Sequence, residues 1–288
     1  LASGELDLVT ALPDSVLQEA AEDWLPEPET RGYGVLLNPA APPFDNPDVR
    51  EAFRLAVDPA GLALGPELRP AAGLAPCGVA DYGERPEEAK AGRWDFRIHS
   101  AERVTMPEAG EYEENCRLAR RLLAQAGYPD GFEMTITAPS NYAQHMDTAQ
   151  VLIEQLKAVG ITAELVPVEW QTWVDDVYRG RNYQSTVCGI AADDMTAREM
   201  LVRYMSDNRK NFIGFQDEEY DSVMAQAMAS TDDGEQTRLY KRAQEILNEQ
   251  AASLWIQDMC ELAVTSPALD GFTFYRTYVI DMACVYFK

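Results

Sequence analysis

The chain has 288 residues, of which 46% are apolar, so it is long enough and apolar enough to bury a globular core. Its 48 acidic and 24 basic residues give a formal net charge of −24. Such a charge repels nucleic-acid phosphates and anionic lipid surfaces, because both are bound chiefly through Lys and Arg. The composition therefore excludes a nucleic-acid-binding protein, and the acidity itself favours solubility.

Other composition features exclude further classes. The five cysteines form no CxxC pair, so we expect free thiols rather than a disulfide framework. The two histidines, His99 and His145, are too few for a His-rich metal site. No apolar run reaches the ~18 residues that a membrane span needs, and no signal peptide opens the chain. Residues 1–7 are typical of the middle of a domain, and we expect the sequence to begin inside a longer precursor.

The first third of the chain has a mixed pattern. Residues 6–9 predict a strand, and residues 15–24 predict a helix that the prolines of the 26–29 stretch end. A second strand is predicted at 33–38. Asn46 and Pro47 then resemble an N-cap and first helical position, followed by a helix to residue 57. Residues 60–110, rich in Pro, Gly and charge, are predicted to be irregular.

Helices and strands alternate in the middle of the chain. The apolar spacing predicts, in order, a helix at 112–126, a strand at 132–136, a helix at 146–159, a strand at 161–168, a short helix at 171–180 and a buried strand at 183–190. Gly127 and Gly160 mark the ends of the first two helices. A strand, a helix and a second strand in this order predict parallel pairing with a right-handed connection.

The last third begins with two helices. Asp217 and Asp232 are predicted N-caps, and Asp232 with Glu235 resembles a capping box. Two or three strands are then predicted, at 253–256, 261–265 and 283–287. The last strand leads us to expect the native C-terminus at Lys288.

A search for catalytic motifs finds none. The chain has no G-x-S-x-G or S-x-x-K nucleophile motif, no phosphate-binding P-loop and no G-x-G-x-x-G. Cys188 precedes a glycine, but a cysteine nucleophile needs a positioned histidine, and the sequence places neither histidine beside it. Nucleotide binding through these loops is excluded.

Three acidic pairs are candidates for acid–base or cation-binding roles. Asp175-Asp176 lies on an amphipathic helix and is predicted to be solvated, and Asp232-Asp233 is predicted to cap a helix. Asp193-Asp194 follows a buried strand, where α/β sheets bind ligands. This pair is the best functional candidate of the three.

Two tryptophans flank the predicted strand at 161–168. Trp173 is predicted to pack in the core, whereas Trp170 lies where the strand gives way to the helix. An indole at that point offers a wall for a ligand pocket, because a flat apolar ring gives contact area at little entropic cost.

Several segments in order resemble the peptide/nickel class of solute-binding proteins that serve ABC importers (bacterial solute-binding protein family 5). Residues 4–7 (GELD) are similar to its GE-D strand, and residues 42–53 (PPFDNPDVREAF) to its PPF-D-RVR-A signature. Residues 122–132 (LLAQAGYPDGF) are similar to its LL-EAGYPDGF helix end. With gaps, the resemblance runs from residue 1 to the C-terminus.

This resemblance implies an α/β, periplasmic-binding-protein-like (type II) lobe with a mixed sheet flanked by helices and the N-terminal lobe largely missing. We expect residues 1–33 to be a remnant of the first lobe, residues 34–270 the second ligand-binding lobe, and residues 271–288 a return toward the first lobe. In the family, two lobes close on a ligand like a hinged trap.

The implied function is the substrate-binding component of an ABC importer. It would capture a peptide or similar small solute outside the membrane and deliver it to the permease, with no catalytic residue, metal or cofactor. The implied location is extracytoplasmic, either periplasmic or as a cell-surface lipoprotein whose signal and anchor lie outside this sequence.

The resemblance also supplies candidate ligand-binding residues. Residues 189–193 (GIAAD) are similar to the family's GW-AD segment, whose acid pairs with the ligand amino group in peptide binders, and Trp170 matches a cleft aromatic. Ile190 replaces the usual tryptophan, Ala197 replaces a proline, and no arginine precedes Gly189. The candidates are Trp170, Asp193, Gly189, Ile190, Ala191, Cys188, Asn141 and His145.

Two other functions remain open from the sequence. A related lobe could serve sensing or surface interaction, and only a neighbouring permease gene would separate this from import. A hydrolase would need two carboxylates within about 10 Å of each other in a closed pocket. A lone lobe of a two-lobe binding protein should expose an apolar patch near Trp170 and bind its ligand poorly.

Overall fold

The computed structural model describes residues 8–10, 24–58, 68–70, 112–191, 197–266, 268–272 and 281–288. The helices are α1 (Pro47–Leu55), α2 (Tyr112–Gln125), α3 (Ala143–Leu156), α4 (Trp170–Thr172), α5 (Ala197–Leu201), α6 (Glu218–Ala229) and α7 (Asp233–Glu249). A π-helix (Trp173–Arg179) continues α4, and 3-10 turns lie at Lys157–Val159, Val202–Tyr204 and Met282–Cys284.

The strands are β1 (Leu8–Thr10), β2 (Trp24–Leu37), β3 (Leu68–Pro70), β4 (Glu133–Pro139), β5 (Thr162–Val168), β6 (Ser185–Ala191), β7 (Ser253–Thr265), β8 (Leu269–Asp270) and β9 (Tyr286–Phe287). Seven of them form one sheet in the order β1-β7-β2-β6-β4-β5, with β3 added to β7. β4 pairs in parallel with β5 and β6, and the other pairs of this sheet are antiparallel. The expected mixed sheet flanked by helices is confirmed.

Apolar residues pack on both faces of this sheet, and neighbouring strand residues divide between the two layers. Val35 and Leu37 of β2 join a core with α1, α2 and α3, whereas Leu36 joins a second core with α6 and α7. On β6, Val187 faces the first core, and Cys188 and Ile190 face the second. The period-2 alternation of strands explains this division.

Helix ends follow the predicted capping chemistry. The Asn46 side chain accepts a hydrogen bond from the Asp48 N–H at the start of α1, and Asp217 accepts from Tyr220 N–H at the start of α6. Asp232 accepts from the Glu235 N–H, but the Glu235 carboxylate accepts from the Ser230 hydroxyl instead of closing a reciprocal capping box. The three predicted N-caps are therefore confirmed.

The structure corrects two predictions at the N-terminal side. Trp24 was predicted to end a helix but instead begins the long strand β2. This strand was predicted to start only at residue 33. Pro26 and Pro28 lie inside β2 and pair with β7, and among the described residues the pairing of β2 with β6 begins only at Arg31. An edge position tolerates proline, which has no N–H to donate. The helix predicted at 15–24 otherwise falls outside the described residues, as does most of 60–110.

Two further corrections concern the C-terminal side. The two strands predicted at 253–256 and 261–265 are one continuous strand, β7. Its polar middle, Gln257 and Asp258, pairs with both β2 and β3, so backbone pairing overrides the break in the apolar pattern. The strand predicted at 283–287 is a 3-10 turn followed by the two-residue β9.

In the part of the chain that the structure describes, no helix is long and apolar enough to cross a membrane.

Candidate functional site

Three neighbouring strands place the candidate site. β4, β5 and β6 run in parallel, so their carboxyl ends, Pro139, Val168 and Ala191, lie at the same edge of the sheet. The Ser140 N–H donates to the Val168 carbonyl over 2.9 Å and ties the first two ends together. Side chains that follow these strands converge there, as ligand sites of α/β sheets do.

Two stacked indoles follow β5. Trp170 and Trp173 lie nearly parallel, with ring centroids 5.3 Å apart and an interplanar angle of 9°. Trp173 is 5% exposed and donates its Nε1–H to the Thr186 hydroxyl over 3.0 Å, and that hydroxyl donates to the Thr137 carbonyl over 2.6 Å. These two hydrogen bonds fix the buried Trp173 indole against β6 and β4, while Trp170 stays 44% exposed.

The start of α3 extends the aromatic wall. The Tyr142 ring meets the Trp170 ring edge-on at 5.7 Å and lies 4.8 Å from the His145 ring. His145 is buried, whereas Tyr142 is half-buried. The two residues therefore join the loop after β4 to the helix after β5.

The end of β6 forms the floor of the site. Cys188 and Ile190 are buried and, two residues apart, lie on the same face of the strand. Burial raises the pKa of the Cys188 thiol to about 12, against a smaller lowering by the charge of Arg203. The thiol is therefore protonated at neutral pH and is a poor nucleophile.

Arg203, from the 3-10 turn after α5, brings a permanent charge to the site. Its Nη2 lies 3.3 Å from Glu199 Oε1, and the two side chains are only 13% and 16% exposed. The Lys210 ammonium contacts the same carboxylate oxygen. One carboxylate is thus shared by two cations.

Phe212 closes the site from the loop between α5 and α6. Its ring lies 4.9 Å from that of Tyr178 and meets Trp173 edge-on at 5.9 Å. The buried Asn211 side chain donates to the backbone carbonyls of Met205 and Phe215. The backbone carbonyl of Asn211 accepts a hydrogen bond from Arg181 Nη2 over 2.6 Å. These bonds hold the loop in place.

Together these groups enclose a cavity of about 310 Å³, near the lower end of the ~300–1,000 Å³ typical of ligand pockets. Most of its walls are aromatic or aliphatic. The described lining residues are Tyr142, His145, Trp170, Trp173, Val174, Tyr178, Cys188, Gly189, Ile190, Arg203 and Phe212.

The cavity brings together most of the residues that the sequence singled out. Its lining includes the five candidates Trp170, Gly189, Ile190, Cys188 and His145. Asn141 is exposed and is not among the described lining residues. Ala191 is the last residue of β6, and Asp193 lies outside the described residues.

Sequence reasoning missed six lining residues. Trp173 was assigned to the core, which is confirmed, yet it also lines the cavity. The helical spacing of Trp170, Val174 and Tyr178 could have indicated that all three share one side of the helix. Tyr142, Arg203 and Phe212 come from other loops, and no local pattern in the sequence joins them to β6.

The buried thiol has a measurable consequence. At pH 8 we expect iodoacetamide to alkylate the exposed Cys284 readily and to spare Cys188, which is buried and protonated. Peptide mass mapping with and without urea gives the alkylation rate of each cysteine. Equal labelling of Cys284 and Cys188 in the native protein would contradict the burial of Cys188.

The same burial makes the stability of the protein depend on pH. The unfolded chain loses the Cys188 thiol proton above a pH of about 9, whereas the folded chain keeps it to about 12, so the free energy of unfolding falls across that window.

Comparison with known proteins identifies the family. The model of a family described as bacterial extracellular solute-binding proteins, family 5 Middle, matches residues 1–212. The chain belongs to this family. The resemblance found in the 42–53 and 122–132 motifs is therefore confirmed.

Curated family-5 relatives are considerably longer than the chain. The periplasmic oligopeptide-binding protein OppA of Escherichia coli (strain K12) is 25% identical over 280 residues, which cover 94% of this chain and 48% of OppA. The glutathione-binding protein GsiB of Salmonella choleraesuis (strain SC-B67) is 29% identical over 252 residues, or 83% of this chain and 44% of GsiB. The chain thus spans about half the length of the curated relatives that it matches.

Solved structures show the same fold. Haemophilus influenzae OppA in complex with the peptide RPPGFSPFR superposes with a TM-score of 0.80 at 22% identity, covering 99% of this chain and 55% of that one. DppA of Helicobacter pylori, in complex with the peptide STSA, gives a TM-score of 0.76 at 19% identity, covering 100% and 54%. The expected periplasmic-binding-protein fold is confirmed, and these relatives are named as binding proteins rather than enzymes.

Proposed function

We propose that the chain is part of the substrate-binding component of an ABC importer, which captures a peptide or similar small solute outside the membrane and delivers it to the permease. The observation that carries this proposal is the aromatic cavity at the carboxyl ends of β4, β5 and β6. One of its lining residues, Trp170, is 44% exposed. Large exposed aromatics at a cavity mouth are typical of surfaces that a ligand or partner covers.

A second lobe completes the trap in this proposal and covers Trp170 when the ligand is bound. The proposed boundaries are residues 1–33 for the first-lobe remnant, 34–270 for the ligand-binding lobe and 271–288 for the return. The strand register supports a junction near residue 33, because β2 shifts its pairing with β7 between Pro28 and Gly32. β2 also pairs with β6 only from Arg31 onward.

The site favours binding over catalysis. Burial keeps the Cys188 thiol protonated, so it offers no nucleophile. The described lining is dominated by aromatic and aliphatic groups that supply contact area rather than proton transfer. We propose a non-enzymatic, extracytoplasmic protein, held at the periplasmic side or as a lipoprotein, with no cofactor.

The ligand contacts that we propose follow the strand end. Trp170, Cys188, Gly189, Ile190 and His145 contact the ligand through the cavity that they line. Ala191, Asn141 and Asp193 contact it from the rim, with the Asp193 carboxylate facing a ligand cation. The end of β6 supports this, since Ala191 directly follows Ile190, which lines the cavity.

Calorimetry with a peptide library tests the proposal on this chain and on a longer form that holds both lobes. We expect the longer form to bind a subset of peptides, and this chain to bind them at least about 100-fold more weakly, because half of the contact surface is missing. Trp170→Ala in the longer form should weaken binding about tenfold, whereas the exposed neighbour Gln171→Ala should not. Equally tight binding by this chain alone overturns the two-lobe arrangement, and a longer form that binds no peptide overturns the peptide assignment.

A further inference from the structure

A buried threonine, Thr186, joins the stacked indoles of the cavity to the sheet. Its hydroxyl accepts the Nε1–H of Trp173 over 3.0 Å and donates to the backbone carbonyl of Thr137 over 2.6 Å. Thr186 is 0% exposed and is not among the described residues that line the cavity. Any effect of this hydroxyl on a bound molecule therefore passes through another side chain.

Trp173 is the ring against which the neighbouring aromatic lining packs. Its indole stacks on the Trp170 ring, with the centroids 5.3 Å apart. It also lies 5.9 Å from the Phe212 ring and 6.3 Å from the Tyr178 ring. All three neighbours line the cavity. Because interiors are closely packed, a rotation of the Trp173 ring would displace the rings against it.

One hydrogen bond governs the rotation of the Trp173 ring, since an indole has a single polar group, the Nε1–H donor. Leaving a buried donor without an acceptor costs free energy. Trp173 is only 5% exposed. Removal of the Thr186 hydroxyl therefore favours a turned ring whose Nε1–H reaches another acceptor.

The Thr186 hydroxyl lies where the pairing of β4 with β6 ends. In the described part of the two strands, this pairing involves only two residues of β6, Ser185 and Thr186. The Ser185 hydroxyl donates to the β4 carbonyl of Thr135 over 3.2 Å, so both hydroxyls bond the neighbouring strand. Of the two, the Thr186 hydroxyl also bonds an indole. Ser185 is thus a natural control for the part that Thr186 plays in strand pairing.

We propose that Thr186 is a positioning residue of the ligand site, whose hydroxyl fixes the orientation of Trp173 and, through the stacked rings, that of the exposed Trp170. The inference rests on the proposed function, in which Trp170 contacts the ligand. A ring that is fixed before binding does not have to be ordered by the ligand, and this favours affinity.

NMR of the indole N–H groups tests the positioning role on the chain itself. Each of the five tryptophans gives one indole N–H signal, and the variants Trp170→Phe and Trp173→Phe assign two of these signals by their loss. In the unmodified protein we expect the Trp173 N–H to exchange with solvent at least about tenfold more slowly than the Trp170 N–H, because it is buried and bonded. Equal exchange of the two groups overturns the proposal without any further variant.

The variant Thr186→Val keeps the shape of the side chain and removes its hydroxyl. We expect exchange of the Trp173 N–H to become about tenfold faster. We also expect the Trp170 signal to shift, because a turned Trp173 ring changes the ring current at its stacking partner. If Thr186→Val did not fold, Thr186→Ala removes the same hydroxyl and serves in its place.

Two controls separate positioning from strand pairing. Thr186→Ser keeps the hydroxyl and should restore both the slow exchange of Trp173 and the position of the Trp170 signal. Ser185→Ala removes the neighbouring hydroxyl bond between β6 and β4 without touching an indole. It should leave both signals in place, even where urea unfolding shows a loss of stability similar to that of Thr186→Val.

Calorimetry on the longer form, which holds both lobes, measures the consequence for binding. The probe is the library peptide that the unmodified longer form binds most tightly. Thr186→Val should weaken its binding about three- to tenfold, because the rings must then be ordered when the peptide binds. Thr186→Ser and Ser185→Ala should each stay within about twofold of the unmodified form.

The outcomes separate this role from the proposed function. An unmoved Trp170 signal in Thr186→Val, an equal shift in Ser185→Ala, or peptide affinity unchanged by Thr186→Val overturns the positioning role. A longer form that binds no peptide overturns the peptide assignment instead, and the NMR comparison of the variants still decides whether Thr186 positions the stacked indoles.

Discussion

Replacement of Trp173 by alanine is expected to lower the free energy of unfolding by about 3–5 kcal/mol, the range for a large aromatic removed from a core. Its indole is 5% exposed and packs in the core formed with α6 and α7. Loss of the ring leaves a void that the fixed strands cannot close. It also removes the donor to Thr186 and the stacking partner of Trp170.

Urea unfolding followed by circular dichroism measures this change, with two control variants. Trp173→Phe keeps an aromatic wall but removes the Nε1–H donor, so a cost of about 1–2 kcal/mol is expected. Trp170→Ala removes a ring of the same size from a half-exposed position and should cost about 1 kcal/mol or less. If both alanine variants were equally stable, the assignment of one indole to the core and the other to the ligand surface would be wrong.

Local chemistry made much of this fold predictable from the sequence. Asn46, Asp217 and Asp232 start helices because their short side chains accept from helix N–H groups, a signal confined to a few neighbouring residues. The parallel pair β4–β5 followed from a strand–helix–strand order with short connections. The N-cap residues and the strand–helix–strand order are both recognised from residues that are close together in the sequence.

Long-range pairing accounts for what the sequence did not predict. Pro26 and Pro28 argue against a strand locally, yet β7, more than 230 residues away, supplies the backbone partners that hold them in β2. Likewise, Gln257 and Asp258 are polar and interrupt the apolar pattern, but pairing on two sides keeps β7 continuous. Such partners cannot be read from either segment alone.

The site shows the same division. Trp170 could be singled out because an indole directly after a strand is a local pattern, and Gly189 and Ile190 because their segment resembles the family's GW-AD segment. Arg203 and Phe212 reach the cavity from the connection between α5 and α6, and their contribution depends on how that loop packs. No local pattern in the sequence therefore predicts that either residue lines the cavity.

Replacement of Gly131 by alanine is the second change expected to have a large effect, a loss of more than about 3 kcal/mol or failure to fold. Gly131 ends the AGYPDG turn with φ +80°, a left-handed conformation that costs a residue with a Cβ about 1–2 kcal/mol. A Cβ at this position would also lie 1.8 Å from the Gly160 carbonyl oxygen. That oxygen belongs to backbone, so it cannot turn away as a flexible side chain would.

The two glycines lie where β4 and β5 begin, which explains why the overlap should be so costly. The Thr162 N–H donates to the Phe132 carbonyl over 2.9 Å beside them, so a backbone shift that relieved the overlap would pull apart the start of the parallel pair. Gly127→Ala is the matched control, because Gly127 has φ +97° but no atom within 4 Å of the added Cβ. Thermal and urea unfolding of the two variants then separates conformational strain from steric overlap. A Gly131→Ala protein as stable as Gly127→Ala would mean that the turn relaxes freely, and that β4 and β5 do not fix the distance between Gly131 and Gly160.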